Sequence, residues 1–230
     1  MIPLHDDNPT TIQPVVTIAF IAICVLAFLW QSSHGPQEQQ QIVYALGAIP
    51  AVLLQDARLA PELTWVPAGA TVFTSMFLHG GWMHLIGNML YLWIFGNNIE
   101  DAMGHVRYVL FYLFCGIVAV YTHAIPNAAS EIPMIGASGA ISGVLGAYLL
   151  LYPRAKILVG IPLGFILHTM RLSAMWVLGL WFGMQIISSL LTPPGQAGVA
   201  FGAHIGGFVA GMVLIPLFKY RRFRLHNPFQ

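Results

Sequence analysis

Six apolar segments, each long enough to cross a lipid bilayer, constrain this chain more than any other feature. A spanning helix needs about 20 mostly apolar residues. Hydrophobic residues make up 57% of the chain and charged residues 7%, and so low a charged fraction excludes a soluble globular protein. The sequence therefore predicts an all-α polytopic membrane protein. Its six predicted transmembrane helices cover about 12–31, 84–103, 106–125, 135–152, 172–192 and 199–218.

Two stretches between these segments are predicted to lie outside the hydrocarbon. The section 32–83 contains four prolines and short amphipathic stretches, so we expect it to fold against a face of the membrane. The stretch 155–170 is apolar, but basic residues flank both of its ends and its glycines and proline argue against a helix, so we interpret it as an interfacial connection. No Lys or Arg precedes the first segment, which favours a retained helix over a signal peptide.

The basic residues predict the orientation in the membrane. With the N-terminus on the cytoplasmic side, eight of the nine Lys and Arg residues fall on that side and only Arg58 falls outside. Both termini are therefore predicted to be cytoplasmic, including a basic tail at 219–230. The section 32–83 and the loops near 126–134 and 193–198 then face outward. The lack of a targeting presequence favours the inner membrane of a bacterium.

Charge and cysteine content exclude other classes of partner. The net charge is +1 and basic residues cluster only in the tail, which argues against a nucleic-acid partner. Cys24 and Cys115 both fall inside apolar segments, so they are interpreted as small core residues and not as a disulfide or metal pair. The zinc motif H-E-x-x-H is absent. The sequence therefore predicts neither a metal site nor a cofactor.

Three polar residues in three different segments lie at one depth. A helix rises about 1.5 Å per residue, which places Ser138, His204 and Asn88 roughly 22–24 Å above the cytoplasmic ends of their helices. His84 lies one turn nearer the outer boundary. Polar groups inside a membrane are costly, so a set that converges on one level indicates a functional site.

These residue types suit nucleophilic catalysis. A serine hydroxyl becomes reactive when a neighbouring base takes its proton, and His204 is the candidate base for Ser138. Ser138 also begins its helix, where backbone N–H groups lack partners within the helix. The amides of Ala137 and Ser138, with the side chains of His84 and Asn88, are therefore predicted to form an oxyanion hole. No Asp or Glu lies at that depth, which predicts a Ser–His dyad.

Glycines near both candidate residues favour close packing of their helices. Gly139 and Gly143 follow Ser138, and Gly207 and Gly211 follow His204, each pair with the small-xxx-small spacing of membrane helix contacts. His79, in the Phe77–Gly81 stretch, is predicted to make structural hydrogen bonds.

Two other functions compete with hydrolysis. Buried histidines such as His84 and His204 also suit axial haem ligation or a transporter. A transporter would usually show internal repeats or charges in mid-membrane, and the sequence contains neither. A protein that binds membrane clients without cleaving them is the remaining alternative.

Four separated motifs, in this order, resemble the rhomboid family of intramembrane serine proteases. The resemblance covers about residues 65–220. The motifs are Phe77-Leu78-His79-Gly80-Gly81-Trp82-Met83-His84-Leu85-Ile86-Gly87-Asn88, Gly96-Asn97-Asn98-Ile99-Glu100, Gly136-Ala137-Ser138-Gly139 and Ala203-His204-Ile205-Gly206-Gly207.

The resemblance implies a fold and roles for individual residues. It implies one rhomboid-like membrane domain over 1–230, with its catalytic core at about 84–218, in which six helices enclose a water-filled pocket open to the outside. Ser138 is implied to be the nucleophile and His204 the base, with His84 and Asn88 at the oxyanion. Gly136 resembles the glycine that shapes the loop before the catalytic helix, and Glu100 a structural acid.

The implied activity is cleavage of transmembrane segments of other membrane proteins near the outer face of the membrane. Transmembrane proteins and the lipid bilayer are therefore the expected partners. One position departs from the family pattern. Some relatives carry an aromatic residue at the position of Ser142, where it packs on the histidine ring. A small hydroxyl stands here, so another group must orient His204.

Overall fold

Helices form most of the computed structural model, which describes residues 1–164, 166–193 and 198–225. The end of the predicted basic tail, 226–230, and most of the predicted outer loop near 193–198 lie outside the described residues. Three-residue 3-10 turns begin at Pro61, Ser75 and Ile125. The α-helices are α1 (Val15–Ser32), α2 (Pro36–Leu46), α3 (Pro50–Leu54), α4 (Ala68–Thr74), α5 (Trp82–Met103), α6 (His105–Ala124), α7 (Ser138–Leu151), α8 (Ala174–Leu191) and α9 (Phe201–Phe218).

Each of the six predicted segments contains one long helix: α1, α5, α6, α7, α8 or α9. Four of these, α1, α6, α8 and α9, are long and apolar enough to cross a membrane. In α5 the polar side chains lower the mean hydropathy, while α7 has 14 residues and is about 21 Å long. The chain is thus an integral membrane protein, and the count of six spans stays a prediction.

The fold is mostly helical, as predicted, but it is not all-α, because the described chain also contains a three-stranded antiparallel sheet. Its strands are β1 (Ile2–Asp6), β2 (Lys156–Leu163) and β3 (Ile166–Ser173), in the order β1-β2-β3. The stretch 155–170 is therefore non-helical, as predicted, but it forms a hairpin that pairs with the N-terminus. The pairing of Ile2 with Gly160 joins residues far apart in sequence, which local patterns do not reveal.

Helix α7 lies at the centre of the bundle. Eleven of its 14 residues are buried. It packs against α5, α6, α8 and α9. The contact with α9 is the closest, because glycines let the two backbones touch. A Cβ atom added to Gly207 would overlap the carbonyl oxygen of Gly139, and one added to Gly211 would overlap that of Gly143.

Buried carboxylates fasten the N-terminal segment to the bundle. Glu100 accepts hydrogen bonds from the backbone amides of Val16 and Thr17 at 2.8 Å, so it satisfies donors at the first turn of α1. Asp6, on β1, accepts from the Tyr148 hydroxyl at 2.7 Å. Burial raises the pKa of the Asp6 carboxyl above its ordinary value, and the hydrogen bond from Tyr148 opposes that shift.

The section 32–83 folds into short helices and pairs with the loop before α7. Ala48 pairs with Met134 in an isolated antiparallel bridge, and the Thr74 hydroxyl donates to the Leu46 carbonyl at 2.6 Å. The bridge joins the section to the loop that leads into α7, while the Thr74–Leu46 hydrogen bond links α4 to the end of α2 within the section. Both cysteines, Cys24 and Cys115, are buried and free, which agrees with their interpretation as core residues.

Candidate active site

Ser138 is the first residue of α7, at the end of a loop that glycine shapes. Gly136 has a φ of 121°, a conformation that side chains rarely adopt, and its amide donates to the Ser75 carbonyl at 2.8 Å. A Cβ at Gly136 would also lie 2.7 Å from Nε2 of His84. This position therefore needs glycine both for its backbone angle and for space.

His204 lies in the first turn of α9 and contacts Ser138 directly. The distance from its Nε2 atom to the Ser138 Oγ atom is 2.8 Å. The close contact of α7 and α9 through their glycines brings the two side chains within this range. The Ser142 hydroxyl does not bond to the imidazole. It donates instead to the Ser138 carbonyl, one turn earlier on α7, at 2.6 Å.

His84, in the first turn of α5, is held by a hydrogen bond from the loop before that helix. The Gly80 amide donates to its Nδ1 atom at 3.2 Å, so Nδ1 carries no proton. A neutral imidazole then has its proton on Nε2. Because Nε2 lies next to Gly136, the ring presents a donor beside the loop that leads into Ser138.

Asn88, one turn further along α5, supplies a second donor at the same place. Its side chain is buried, and its Nδ2 atom has no hydrogen-bond partner within the described part of the chain. A Cβ added to Gly136 would lie 3.8 Å from that atom. A buried donor without a partner is uncommon, and such a group at an active site is often kept for a ligand or transition state.

These side chains line one cavity of about 930 Å³. Ser138, His204, His84 and Asn88 all border it, together with apolar and small polar residues. No Asp, Glu, Lys or Arg belongs to the wall formed by described residues. The cavity is therefore large enough for several residues of polypeptide and suits an uncharged segment.

The two remaining predicted structural residues lie beside this cavity. His79 is fully buried and its carbonyl accepts from the Gln31 side chain at 3.0 Å. Its ring packs edge-on against that of His84, with the centroids 5.1 Å apart. Gly139 follows the serine and contacts α6 and α9, since an added Cβ would meet Ala119 and Ala203.

Sequence reasoning missed two residues of α8 that contact His204. Gln185 places its Oε1 atom 2.8 Å from His204 Nδ1, and the Trp181 ring lies 5.9 Å from the imidazole, centroid to centroid. Their spacing of four residues puts both on one face of the helix. The lone amide inside an apolar segment was the signal that could have identified Gln185, by the same argument that singled out Asn88.

Comparison with known families gives one match over most of the chain. The model of the Rhomboid domain matches residues 68–221, about two thirds of the sequence. The matched range begins at α4 and extends past α9, so it contains every residue that lines the Ser138 cavity.

Similar proteins occur in bacteria, plants and other eukaryotes. The Rhomboid protease GluP of Bacillus subtilis is 29% identical over 201 residues, which cover 86% of this chain and 34% of that protein. RHOMBOID-like protein 1 of Arabidopsis thaliana is 28% identical over 203 residues, or 87% of this chain and 47% of the relative. Rhomboid-like protein 11, chloroplastic, of the same plant is 33% identical over 155 residues, or 65% and 52%.

The chain thus spans between about a third and a half of the length of these curated relatives. The family model nevertheless covers α5 to α9, which surround the cavity, and four helices of the protein are long and apolar enough to cross a membrane. With that extent of match, the chain belongs to the rhomboid family.

Proposed function

We propose that this protein is an intramembrane serine endopeptidase that cleaves transmembrane segments of other membrane proteins. The observation that carries the proposal is the 2.8 Å contact between Ser138 Oγ and His204 Nε2 at the wall of a large cavity. The name of the bacterial relative, a rhomboid protease, supports the same chemistry.

The first half of the reaction forms an ester on Ser138. The Oγ atom attacks the carbonyl carbon of the scissile bond while His204 Nε2 takes the hydroxyl proton. His204 then gives this proton to the nitrogen of the leaving amine, and the C–N bond breaks. The N-terminal part of the substrate remains on Ser138 as an acyl group.

The second half hydrolyses the ester. Water donates a proton to His204 Nε2 as its oxygen attacks the acyl carbon, and the proton returns to Ser138 Oγ when the C–O bond breaks. The products are a free carboxyl group and the original serine. The open cavity supplies the route by which water reaches a site within the bilayer.

His84 and Asn88 are proposed to stabilise the negative charge that develops on the carbonyl oxygen of the scissile bond. Both side chains present donors beside Gly136. The backbone amides at the start of α7 lie at the positive end of the helix dipole and add to this stabilisation. Donors that are already in place when the charge develops need no reorganisation during the reaction.

The substrate is proposed to be an unwound, uncharged segment of a transmembrane helix. A helix keeps its backbone groups paired, so a peptide bond becomes accessible only when the helix opens locally. Prolines or glycines near the scissile bond should therefore favour cleavage. The uncharged cavity wall fits such a segment.

The proposed setting is a six-helix domain in the inner membrane of a bacterium, with both termini cytoplasmic and the cavity open to the outside. The support for this orientation is the distribution of Lys and Arg between the loops.

Labelling by a fluorophosphonate probe tests the nucleophile. The probe phosphonylates an activated serine, so we expect wild type to be labelled and Ser138→Ala to remain unlabelled. Ser33→Ala is a matched control, because Ser33 also adjoins a histidine, His34, but at 3.4 Å and on an exposed surface. It should label like wild type. Equal labelling of wild type and Ser138→Ala would contradict the assignment of Ser138 as the nucleophile. No labelling of wild type would favour a client-binding protein without protease activity.

Replacement of Asn88 tests the oxyanion hole. Asn88→Leu keeps a similar volume but removes the donor, and we expect kcat to fall about 10²–10³-fold with little change in KM. Cleavage of a fluorescent transmembrane peptide in liposomes measures both constants. A thermal unfolding curve like that of wild type excludes misfolding. An unchanged kcat would rule out Asn88 as an oxyanion donor.

A further inference from the structure

We propose that Gln185 is a positioning residue that sets the tautomer and the ring orientation of His204. This inference rests on the proposed function, since it assigns a role within the same site. Ser142 stands where some relatives have an aromatic residue that packs on the histidine ring, so in this protein another residue must orient His204.

Both nitrogens of His204 have one partner each among the described residues. Nε2 lies 2.8 Å from Ser138 Oγ, and Nδ1 lies 2.8 Å from Gln185 Oε1. An amide oxygen only accepts hydrogen bonds. The Nδ1 atom must therefore carry the proton, and in a neutral imidazole this leaves a lone pair on Nε2. That is the form in which His204 can take the proton of Ser138.

The amide group of Gln185 is itself held in one orientation. Its Nε2 atom donates to the Trp181 carbonyl at 3.3 Å, one turn earlier on α8. A carbonyl oxygen accepts and cannot donate, so turning the amide over would place two oxygens against each other. The backbone of α8 thus directs Oε1 towards α9.

Burial makes this orientation persist. Gln185 is one of only four buried residues on the 18-residue helix α8. An unpaired amide oxygen would be left without water or protein partners if the ring turned away, which is unfavourable in a buried site. Trp181 adds a second constraint, because its ring lies beside the imidazole and limits tilting.

A neutral acceptor also suits the surroundings better than the carboxylate of soluble serine proteases. A buried carboxylate carries a large desolvation penalty in a low-dielectric environment. Glutamine keeps the acceptor oxygen without the charge. It orients the base, but it contributes less to stabilising the imidazolium that forms during catalysis.

Two substitutions with side chains about as long as glutamine distinguish this positioning role from a contribution to packing alone. Gln185→Met removes the acceptor, and we expect kcat for a transmembrane peptide in liposomes to fall about 10–100-fold at unchanged KM. This is less than the ~10⁴-fold loss caused by the wrong tautomer in a soluble protease, because methionine removes the preference without reversing it. Gln185→Glu retains an acceptor oxygen and should keep kcat within about tenfold of wild type.

The pH profile gives a second readout. In Gln185→Glu the carboxylate stabilises protonated His204, and the protonated ring cannot act as a base. The acidic limb of the kcat profile should therefore move to higher pH, by about one unit. Met184→Ala, at an exposed neighbouring position on α8, is the control and should match wild type in rate and profile.

The tautomer can be observed without catalysis. In ¹⁵N-histidine spectra of the protein in micelles, assigned by comparison with His204→Ala, the wild-type signals should show Nδ1 protonated and Nε2 unprotonated. In Gln185→Met both nitrogens should show exchange-averaged shifts. An unchanged tautomer, a wild-type kcat in Gln185→Met, or an equal loss in the Met and Glu variants would each overturn the inference. If Ser138→Ala were still active, the proposed function would fail instead.

Discussion

Ser138→Ala is expected to lose cleavage of a single-pass membrane substrate almost completely, by about 10⁴-fold or more in kcat. Alanine cannot form the acyl intermediate, and the cavity holds no other hydroxyl paired with a histidine among the described residues. The measurement is the initial rate of product formation in proteoliposomes with wild type as reference.

His204→Ala should cause a loss of similar size, and the double variant should be no worse than either single one. Residues that act as one unit in catalysis show this non-additivity. Multiplying losses in the double variant would indicate that Ser138 and His204 act in separate steps. Retained cleavage in Ser138→Ala would assign the activity to another nucleophile.

Gly211→Ala is expected to destabilise the protein by about 3 kcal/mol, at the upper end of the usual range for overpacking. The added methyl group would overlap the backbone of Gly143, and backbone atoms cannot rotate away as a side chain can. Helices α7 and α9 would have to separate, which would also move Ser138 from His204. Both the midpoint of thermal unfolding in detergent and the cleavage rate should therefore fall.

Gly183→Ala, on α8, is a matched control that should not destabilise the protein. Nothing lies within 4 Å of a Cβ at this position. Alanine also favours a helix over glycine by roughly 0.5–1 kcal/mol, so stability should stay the same or rise. Equal destabilisation by the two substitutions would show that helical glycines contribute here through something other than the α7–α9 contact.

Much of the fold could be predicted because a bilayer imposes simple requirements. Apolar length alone located the six long helices, and their ends agree with the prediction to within about three residues. The rise of a helix then related Ser138, His204 and Asn88 by depth, and the structure brings all three to one cavity. The contact between the serine and the histidine depends on how α7 packs against α9. The glycine spacing predicted a close approach of these helices but not the distance between the two side chains.

What escaped prediction depended on contacts distant in sequence. Strand β1 pairs with β2 across more than half of the chain, and a five-residue stretch has too little pattern to indicate a strand. Gln185 escaped for another reason. The prediction of a dyad rested on the lack of Asp and Glu at the depth of Ser138, whereas the partner of His204 Nδ1 is the neutral amide of Gln185 on α8.

The pairing of β1 with β2 has a consequence for biosynthesis. Ile2 leaves the ribosome before its partner Gly160, which follows only after more than 150 further residues. At elongation rates of about 5–20 residues per second, β1 stays unpaired for on the order of ten seconds. Strand β1 can therefore close the sheet only once α7 and the hairpin after it exist, so this edge of the protein is assembled late although β1 is translated before both.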